Sequence, residues 1–148
     1  MKTWSKDIDI DAPLQHVWSF LDGSFENMQK IMPQVVEHTP VKVTEDKVGS
    51  IYRQKYKEGS RIEEYDVETL EYVNEDDQKR LKIGFMLANM FEITGLYELR
   101  KINDQQTNLR YTVTNTPLKW YVKLLLVFAN DKVVVKFLER VKHVAESE

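Results

Sequence analysis

Cysteine is absent from the 148-residue chain, which excludes disulfides, thiolate metal sites and a cysteine nucleophile. Histidine is scarce as well. His16, His38 and His143 do not stand at metal-ligand spacing, and none has a local carboxylate and nucleophile to complete a triad. His16 and His143 lie off the apolar stripes of their helices and His38 shares a strand face with Lys42, so we interpret all three as surface residues. With only five glycines, the chain also lacks phosphate-cradling loops and dinucleotide fingerprints, and we expect no cofactor.

An excess of one charge and a long apolar run are also missing. Lysine and arginine total 21 against 24 aspartates and glutamates, a formal net charge of −3, and no basic stripe indicates a nucleic-acid surface. No stretch reaches the ~18–20 apolar residues that span a bilayer, and the N-terminus has no signal-peptide core. We therefore expect no nucleic-acid partner, no transmembrane segment and a cytoplasmic location.

Three aspartates near the N-terminus come closest to a metal motif. Asp7, Asp9 and Asp11 resemble the start of a calcium loop, but the glycine position of that loop is Ala12 and its twelfth position is Trp18 instead of glutamate. Strand alternation places the three carboxylates on an outer face. The sequence therefore predicts a solvated strand edge and no metal site.

Clusters rich in Asn, Asp and Gly recur at even intervals along the chain and indicate turns. Between them lie segments of about ten residues that alternate apolar and polar side chains, the pattern of an antiparallel meander. The predicted strands cover residues 3–11, 35–45, 48–57, 61–73, 79–87, 90–102 and 107–115. A length of 148 residues fits one domain, so residues 1–148 are expected to fold as a single unit.

Three helices are predicted beside the strands. Residues 14–21 carry one apolar stripe at i, i+3, i+4, i+7 spacing, and Ser24 suits the cap of a second helix that ends near Met32. The third helix is expected from residue 117 to about residue 146. Its second half has one apolar stripe, whereas residues 121–129 are apolar at every position but one. A helix that is apolar all round is normally buried, so we expect other parts of the protein to cover residues 121–129 on more than one side.

Charge decides which strand faces point inward, because a slip of one residue moves every side chain to the other face. In the third strand, the wrong choice would bury Arg53, Lys55 and Lys57 side by side, at a prohibitive desolvation cost. The same argument applies to the other strands. The predicted inward residues are, strand by strand, Tyr52, Gln54 and Tyr56; Arg61, Glu63, Tyr65, Val67 and Thr69; Leu81, Ile83 and Phe85; Phe91, Ile93, Tyr97 and Leu99; and Leu109, Tyr111 and Val113.

Five of the seven tyrosines fall on this inward face. A buried hydroxyl without a partner costs about 1–3 kcal/mol, so these phenols need each other, water or a ligand as hydrogen-bond partners. An apolar wall with a few convergent polar groups is typical of a small-molecule pocket. The alternative is a plain core in which the rings pack at the ends of the sheet and the hydroxyls reach solvent.

One segment carries a family resemblance. The run Ile8-Asp9-Ile10-Asp11-Ala12-Pro13-Leu14-Gln15-His16-Val17-Trp18-Ser19-Phe20-Leu21-Asp22 is similar to the opening strand and helix of the START-like superfamily, also called SRPBCC or helix-grip proteins, in its polyketide cyclase/dehydrase branch. Support comes from Val48-Gly49-Ser50 before the third strand and from Leu138-Glu139-Arg140-Val141-Lys142 in the last helix. The element order matches over essentially the whole chain.

This resemblance implies an α+β fold in which a curved antiparallel sheet of about seven strands, with two short helices after the first, wraps around a long C-terminal helix and leaves a cavity. Members bind or transform lipids, polyketides, sterols, quinones and similar molecules. We therefore expect a carrier or sensor of a small hydrophobic ligand. The residues expected to line its cavity are Tyr52, Gln54, Tyr56, Tyr65, Val67, Phe85, Phe91, Tyr97, Tyr111, Leu125 and Phe128.

Two other functions stay open. A cyclase- or dehydrase-type enzyme would use acid–base groups in the same cavity, with a desolvated Glu63 of raised pKa as the proton-transfer group and Tyr65 or Tyr97 as donors to a carbonyl. The superfamily has no shared catalytic motif, so the sequence favours binding over catalysis. The apolar stretch 120–128 would alternatively dock a partner subunit, forming a homodimer through the C-terminal helix, or dip into a membrane surface.

Overall fold

The computed structural model of the protein describes residues 1–87, 89–118 and 130–148. Its elements are, in chain order, β1 (Lys2–Ile10), α1 (Leu14–Leu21), α2 (Phe25–Ile31), β2 (Val35–Lys42), β3 (Ile51–Glu58), β4 (Arg61–Asn74), β5 (Gln78–Leu87), β6 (Phe91–Asn103), β7 (Gln106–Pro117) and α3 (Lys132–Ser147). The strands form one antiparallel sheet in the order β1-β7-β6-β5-β4-β3-β2. The predicted fold class, a seven-stranded sheet with two helices after the first strand and a C-terminal helix, is confirmed.

The two helices between β1 and β2 follow the expected local signals. In α1, the apolar stripe of residues 14–21 is buried against the sheet. Pro13 is the N-cap of this helix. In α2, the Ser24 hydroxyl accepts a hydrogen bond from the backbone N–H of Asn27 at 3.1 Å, which confirms the predicted cap.

The C-terminal helix begins later than the sequence pattern predicts. Pro117 is the last residue of β7, and Asn130 is outside the helix, so α3 starts at Lys132. The prediction of a helix from residue 117 was wrong at this point, because β7 pairs with β6 as far as Phe91↔Pro117. Residues 119–129, which include the predicted cavity residues Leu125 and Phe128, lie outside the described residues.

The apolar stripe of α3 packs on the sheet as predicted. Its buried residues are Val134, Leu138, Val141 and Ala145. The helix lies mainly against β1, where the Lys142 Nζ donates to the Asp9 carbonyl oxygen at 2.9 Å. The main hydrophobic core therefore sits between α3, α1 and the β1, β6 and β7 part of the sheet. Among the described residues, no helix is long and apolar enough to cross a bilayer.

The inward and outward strand faces also agree with the charge argument. Val67 is 4 % exposed and Tyr97 is 3 % exposed on the concave face. On the outer face of neighbouring strands, Arg53 forms an ion pair with Asp66, with 3.1 Å between Nε and Oδ1. Exposed ion pairs of this kind add little stability, but their position agrees with the predicted outer face of β3 and β4.

The sheet is irregular at two places that matter for the site. Strand β2 shifts register twice along β3, between Val35 and Glu37 and between Pro40 and Lys42. Strands β4 and β5 pair only from Glu68↔Gly84 to Asn74↔Lys79. Beyond Glu68↔Gly84 both strands continue, but they are not paired with each other.

Candidate functional site

Two aromatic stacks stand on the concave face of the sheet. The rings of Tyr97 and Tyr111, from β6 and β7, lie parallel with centroids 4.8 Å apart. Phe137 of α3 packs on both, with centroids 5.7 Å from Tyr97 and 4.7 Å from Tyr111. Tyr65 of β4 stacks on Phe85 of β5 at 4.6 Å. These contacts bring four of the predicted cavity residues into two groups on one face.

A chain of polar side chains joins three strands beside these rings. The Gln54 amide donates through Nε2 to the Tyr65 hydroxyl at 3.0 Å, and its Oε1 lies 2.9 Å from Nδ1 of His38. Since Oε1 can only accept, His38 must carry its proton on Nδ1. The lone pair of its Nε2 and the hydroxyl proton of Tyr65 both remain available to a further group.

His38 is the main site residue that the sequence argument placed incorrectly. It stacks on Tyr52, with ring centroids 4.7 Å apart, and is partly buried. The prediction of a surface histidine depended on its sharing a face with Lys42, but the register shift between Pro40 and Lys42 breaks that alternation. The sequence carries no signal of this shift, because the position of His38 opposite Gln54 depends on how the two strands pair.

Burial sets the protonation of these groups. Desolvation lowers the pKa of His38, although its hydrogen bond with Gln54 acts in the opposite direction. Desolvation raises the pKa of Tyr65, and it raises the pKa of Tyr111. The pKa of Tyr97 is raised well above its ordinary value, first by burial and then by the nearby Tyr111. At neutral pH these four side chains are therefore uncharged and serve as neutral donors and acceptors.

The remaining predicted residues are distributed around this centre. Tyr56 is half-buried, and burial followed by the Glu58 charge raises its pKa. Phe91 is half-buried at the start of β6. The Glu63 carboxylate pairs with the exposed guanidinium of Arg61 at the edge of the face. This ion pair disfavours the acid–base role that was predicted for a desolvated Glu63. Whether the predicted set binds a ligand stays a prediction.

Sequence reasoning missed Phe137 and Lys79. Phe137 flanks the apolar stripe of α3, so the spacing alone did not select it. Lys79 is 6 % exposed, and its Nζ lies 5.7 Å from the centre of the Trp18 ring and donates to the Glu75 carbonyl oxygen at 3.1 Å. This lysine lies on the concave face under α1, where an alternating pattern would place an apolar residue.

No group of three metal-ligating side chains exists within residues 1–87, 89–118 and 130–148. Asp7 and Asp9 lie on the outer face of β1, where both accept hydrogen bonds from the Asn108 amide at 2.9 Å. The described geometry of the aspartates therefore matches the solvated strand edge expected from the sequence.

The family described as polyketide cyclase/dehydrase and lipid transport has a model that matches residues 1–146. The chain belongs to this family. No curated protein sequence matches the chain. The polyketide cyclase/dehydrase and lipid transport family thus confirms the branch to which the opening strand and helix were assigned.

Solved structures similar to this member of the polyketide cyclase/dehydrase family share its fold. The Zhui aromatase/cyclase from Streptomyces sp. R1128 has a TM-score of 0.74 and 12 % identity, covering 98 % of this chain and 93 % of that chain. The di-domain aromatase/cyclase BexL of the BE-7585A biosynthetic pathway has a TM-score of 0.72 and 14 % identity, covering 97 % of this chain and 46 % of that chain. Norcoclaurine synthase from Thalictrum flavum, in complex with dopamine and hydroxybenzaldehyde, has a TM-score of 0.65 and 11 % identity, covering 99 % of this chain and 87 % of that chain.

The desolvated His38 gives a pH-dependent stability. We expect stability to fall as pH drops below about 6.5, the ordinary pKa of histidine, because the unfolded chain then binds a proton that folded His38 resists. The loss should level off below the lowered folded pKa. In urea titrations at pH 7 and pH 5, a His38→Gln variant should lose less stability than the parent chain. Equal losses would show that His38 charges freely in the fold.

Proposed function

We propose that residues 1–148 form one ligand-binding domain, which holds a small hydrophobic molecule such as a lipid, polyketide or quinone between the concave face and α3, as a carrier or sensor. The observation that carries this proposal is the pair of ring stacks, Tyr97–Tyr111 and Tyr65–Phe85, on that face. Flat rings supply apolar contact area and favour aromatic partners by offset or edge-to-face packing.

The polar chain beside the rings supports a ligand that also has hydrogen-bonding groups. The Tyr65 hydroxyl, which already accepts from Gln54, has its proton to donate to a carbonyl or ether oxygen. Nε2 of the neutral His38 is an acceptor for a hydroxyl group. A few convergent polar groups in an apolar wall are the usual means by which a pocket orients its ligand.

The comparisons support the same ligand class. The family description includes both polyketide chemistry and lipid transport. Two of the similar structures are aromatase/cyclases, and a third was solved with dopamine and hydroxybenzaldehyde, both of which carry aromatic rings. At identities of 11–14 % these likenesses bear on the fold, so the ligand class remains our proposal.

A cyclase- or dehydrase-type enzyme is the second candidate, and one observation favours it: a hydrogen-bonded chain through Gln54 holds His38 and Tyr65 beside each other. His38 Nε2 would take a proton from substrate carbon or oxygen, while the Tyr65 hydroxyl would donate to the carbonyl that gains negative charge. Glu63 is a weaker base candidate, because Arg61 pairs with its carboxylate. Fold alone does not supply the reaction.

Binding is tested first with the neutral dye N-phenyl-1-naphthylamine, followed by fluorescence. We expect saturable binding at one site, and native mass spectrometry of the purified chain should detect a co-purified hydrophobic molecule. Phe137→Ala should weaken dye binding about tenfold, because it removes the α3 ring that packs on Tyr97 and Tyr111.

Val133→Ala is the matched control on the same helix, since Val133 is 72 % exposed and should leave dye affinity unchanged. Absence of dye binding, or equal loss in both variants, would contradict the binding proposal. A co-purified molecule that is released unchanged after incubation supports a carrier or sensor. A change in its mass would support the enzyme.

The interaction proposal for residues 120–128 concerns a segment outside the described residues. A homodimer through this segment predicts a concentration-dependent mass in sedimentation equilibrium, and membrane docking predicts co-sedimentation with phosphatidylcholine vesicles. The aromatic concave face supports neither, so ligand binding remains the leading proposal.

A further inference from the structure

The backbone pairing of β4 and β5 stops part-way along both strands, and we call this unpaired region the opening. The pairing ends at Glu68↔Gly84, whereas β4 runs on to Arg61 and β5 runs on to Leu87. A concavity of about 720 Å³ lies over this region on the outer side of the sheet. Outer-face residues of β3 to β6 form most of its lining, and Tyr65 and Phe85, which stack on the concave face, also belong to it. These two rings are therefore shared by the candidate site and the outer concavity.

The floor of the opening is an aromatic pair. Tyr65 comes from β4 and Phe85 from β5, so their 4.6 Å ring stack bridges the two strands where no backbone hydrogen bonds join them. A ring stack can separate by side-chain rotation, whereas a paired sheet would have to break several backbone bonds. The Tyr65 hydroxyl also belongs to the polar chain with Gln54, so the floor is part of the candidate site.

Gly84 and Leu70 define where the opening begins. A Cβ at Gly84 would lie 2.9 Å from Cδ1 of Leu70, too close for unshifted neighbours. Leu70 is the extra residue at the β4 register shift between Thr69 and Glu71. The bulge turns the Leu70 side chain over Gly84 at the last paired position, and β-bulges of this kind bend a strand and end its pairing. The opening is thus built by local sequence features.

The rim of the opening is acidic. Its lining includes five carboxylates, Glu63, Glu64, Asp66, Glu68 and Glu92, and one guanidinium, Arg53. Glu64 and Asp66 are paired with Arg53, and Glu63 with Arg61. Glu68 and Glu92 have no ion-pair partner among the residues that the structure describes. Clefts lined by one sign of charge concentrate ligands of the other sign and repel those of the same sign.

We propose that the opening between β4 and β5 is the entrance to the concave site, with the Tyr65–Phe85 stack as its gate, and that its acidic rim selects ligands whose polar end is neutral or cationic over those with a carboxylate or phosphate. The inference rests on the proposed ligand-binding function and narrows its ligand class. The proposed ligand has an apolar body, which passes between the rings of Tyr65 and Phe85. Its polar end is neutral or positively charged and is therefore not repelled by the carboxylates of the rim.

The entrance is tested by closing it with a reversible cross-link. Continuing the register past Glu68↔Gly84 would place Asp66 opposite Met86, and both side chains point outward. Because the chain has no cysteine, Asp66→Cys with Met86→Cys provides the only two thiols. A bismaleimide with a cleavable internal disulfide then joins β4 to β5. In stopped-flow mixing, the cross-link should slow association of N-phenyl-1-naphthylamine at least tenfold, and reduction should restore the rate.

The matched control is a cross-link across a paired part of the same outer face. Glu71 and Lys82 are register partners, so Glu71→Cys with Lys82→Cys ties strands that are already joined. This cross-link should leave the association rate unchanged. An unchanged rate in the Asp66–Met86 pair, with dye binding intact, would overturn the entrance and leave the binding function standing. Dye that fails to bind the uncross-linked chain would overturn both.

Charge selection is tested by competition between dodecylamine and dodecanoate, which share a chain length and differ in the sign of the head group. Dodecylamine should displace the dye at about tenfold lower concentration, and 0.5 M NaCl should reduce the difference. Glu68→Gln with Glu92→Gln should reduce it as well, whereas the distant pair Glu45→Gln with Glu139→Gln should not. Equal displacement by the two competitors would overturn the proposed selection.

Discussion

Replacing Trp18 by alanine should destabilise the fold by about 3–5 kcal/mol, the cost of removing a large buried ring. Trp18 is 2 % exposed between α1 and the sheet, and its ring lies 5.9 Å from that of Tyr72. For a chain of this size, the change corresponds to a fall in melting temperature of about 10 °C. Thermal unfolding followed by circular dichroism measures it.

The contact between Lys79 and Trp18 allows part of the loss in stability to be assigned to one interaction. Its ammonium lies over the indole ring, and the cation–π attraction is lost in Trp18→Ala. Trp18→Phe keeps a smaller aromatic face and should lose less than half as much stability. In a double-mutant cycle with Lys79→Met, the two changes should be non-additive by about 0.5–2 kcal/mol. Additive losses, or a Trp18→Ala variant as stable as the parent, would contradict the predicted contact.

Gly23→Ala should be the most disruptive single methyl addition among the glycines. A Cβ at this position would lie 2.1 Å from the carbonyl oxygen of Ser19, which belongs to the backbone of α1 and has no rotamer to escape into. The connection between α1 and α2 must then move. We expect a loss of about 2–4 kcal/mol, measured as the urea midpoint at a constant slope.

Gly59 is the matched control for Gly23. It has φ of +62°, and nothing lies within 4 Å of a Cβ built there, so only backbone conformation opposes a substitution. Gly59→Asn should cost little, because asparagine tolerates the left-handed region. A Gly23→Ala variant as stable as Gly59→Asn would show that the α1–α2 connection adapts without cost. The physical reason for a glycine at position 23 is its close approach to the Ser19 carbonyl oxygen.

Charge was the most informative property of the sequence for the sheet. The cost of burying Arg53 and its neighbours decides the face of β3, and the Arg53–Asp66 ion pair lies on the outer side as expected. Alternation then places Tyr65, Tyr97 and Tyr111 on the concave face. This argument needs no knowledge of tertiary packing, because the desolvation penalty is a property of the side chain and its strand.

The same argument fails where the strand is irregular. His38 was assigned from Lys42, and the register shift between Pro40 and Lys42 makes that inference invalid. Bulges depend on the pairing of two strands, so one strand's pattern does not reveal them. The start of α3 was misplaced for a related reason. The pattern predicts a helix from Pro117, but the backbone of Pro117 continues β7 beside β6.

The sequence predicts which strand residues belong to the candidate site, but it does not predict the contacts between them. The sequence predicted Gln54 and Tyr65 on one face, but the bond between them and its extension to His38 depend on angstrom-level placement. Phe137 was missed because it lies beside the stripe of α3, where spacing rules select only the central residues. Contacts between an element and its neighbour require the packing angle, which no local pattern contains.

The order of strands has a consequence for self-association. The sheet has two outer strands, β1 and β2, and α3 packs over β1. The β2 strand is protected differently: Pro40 has no N–H to offer to an incoming strand, and the two register shifts twist the strand away from flat pairing. Exposed Val36 and Val41 on β2 would otherwise invite fibril-like stacking. Pro40 thus removes one backbone donor from a strand at the edge of the sheet, where a donor could pair with another chain.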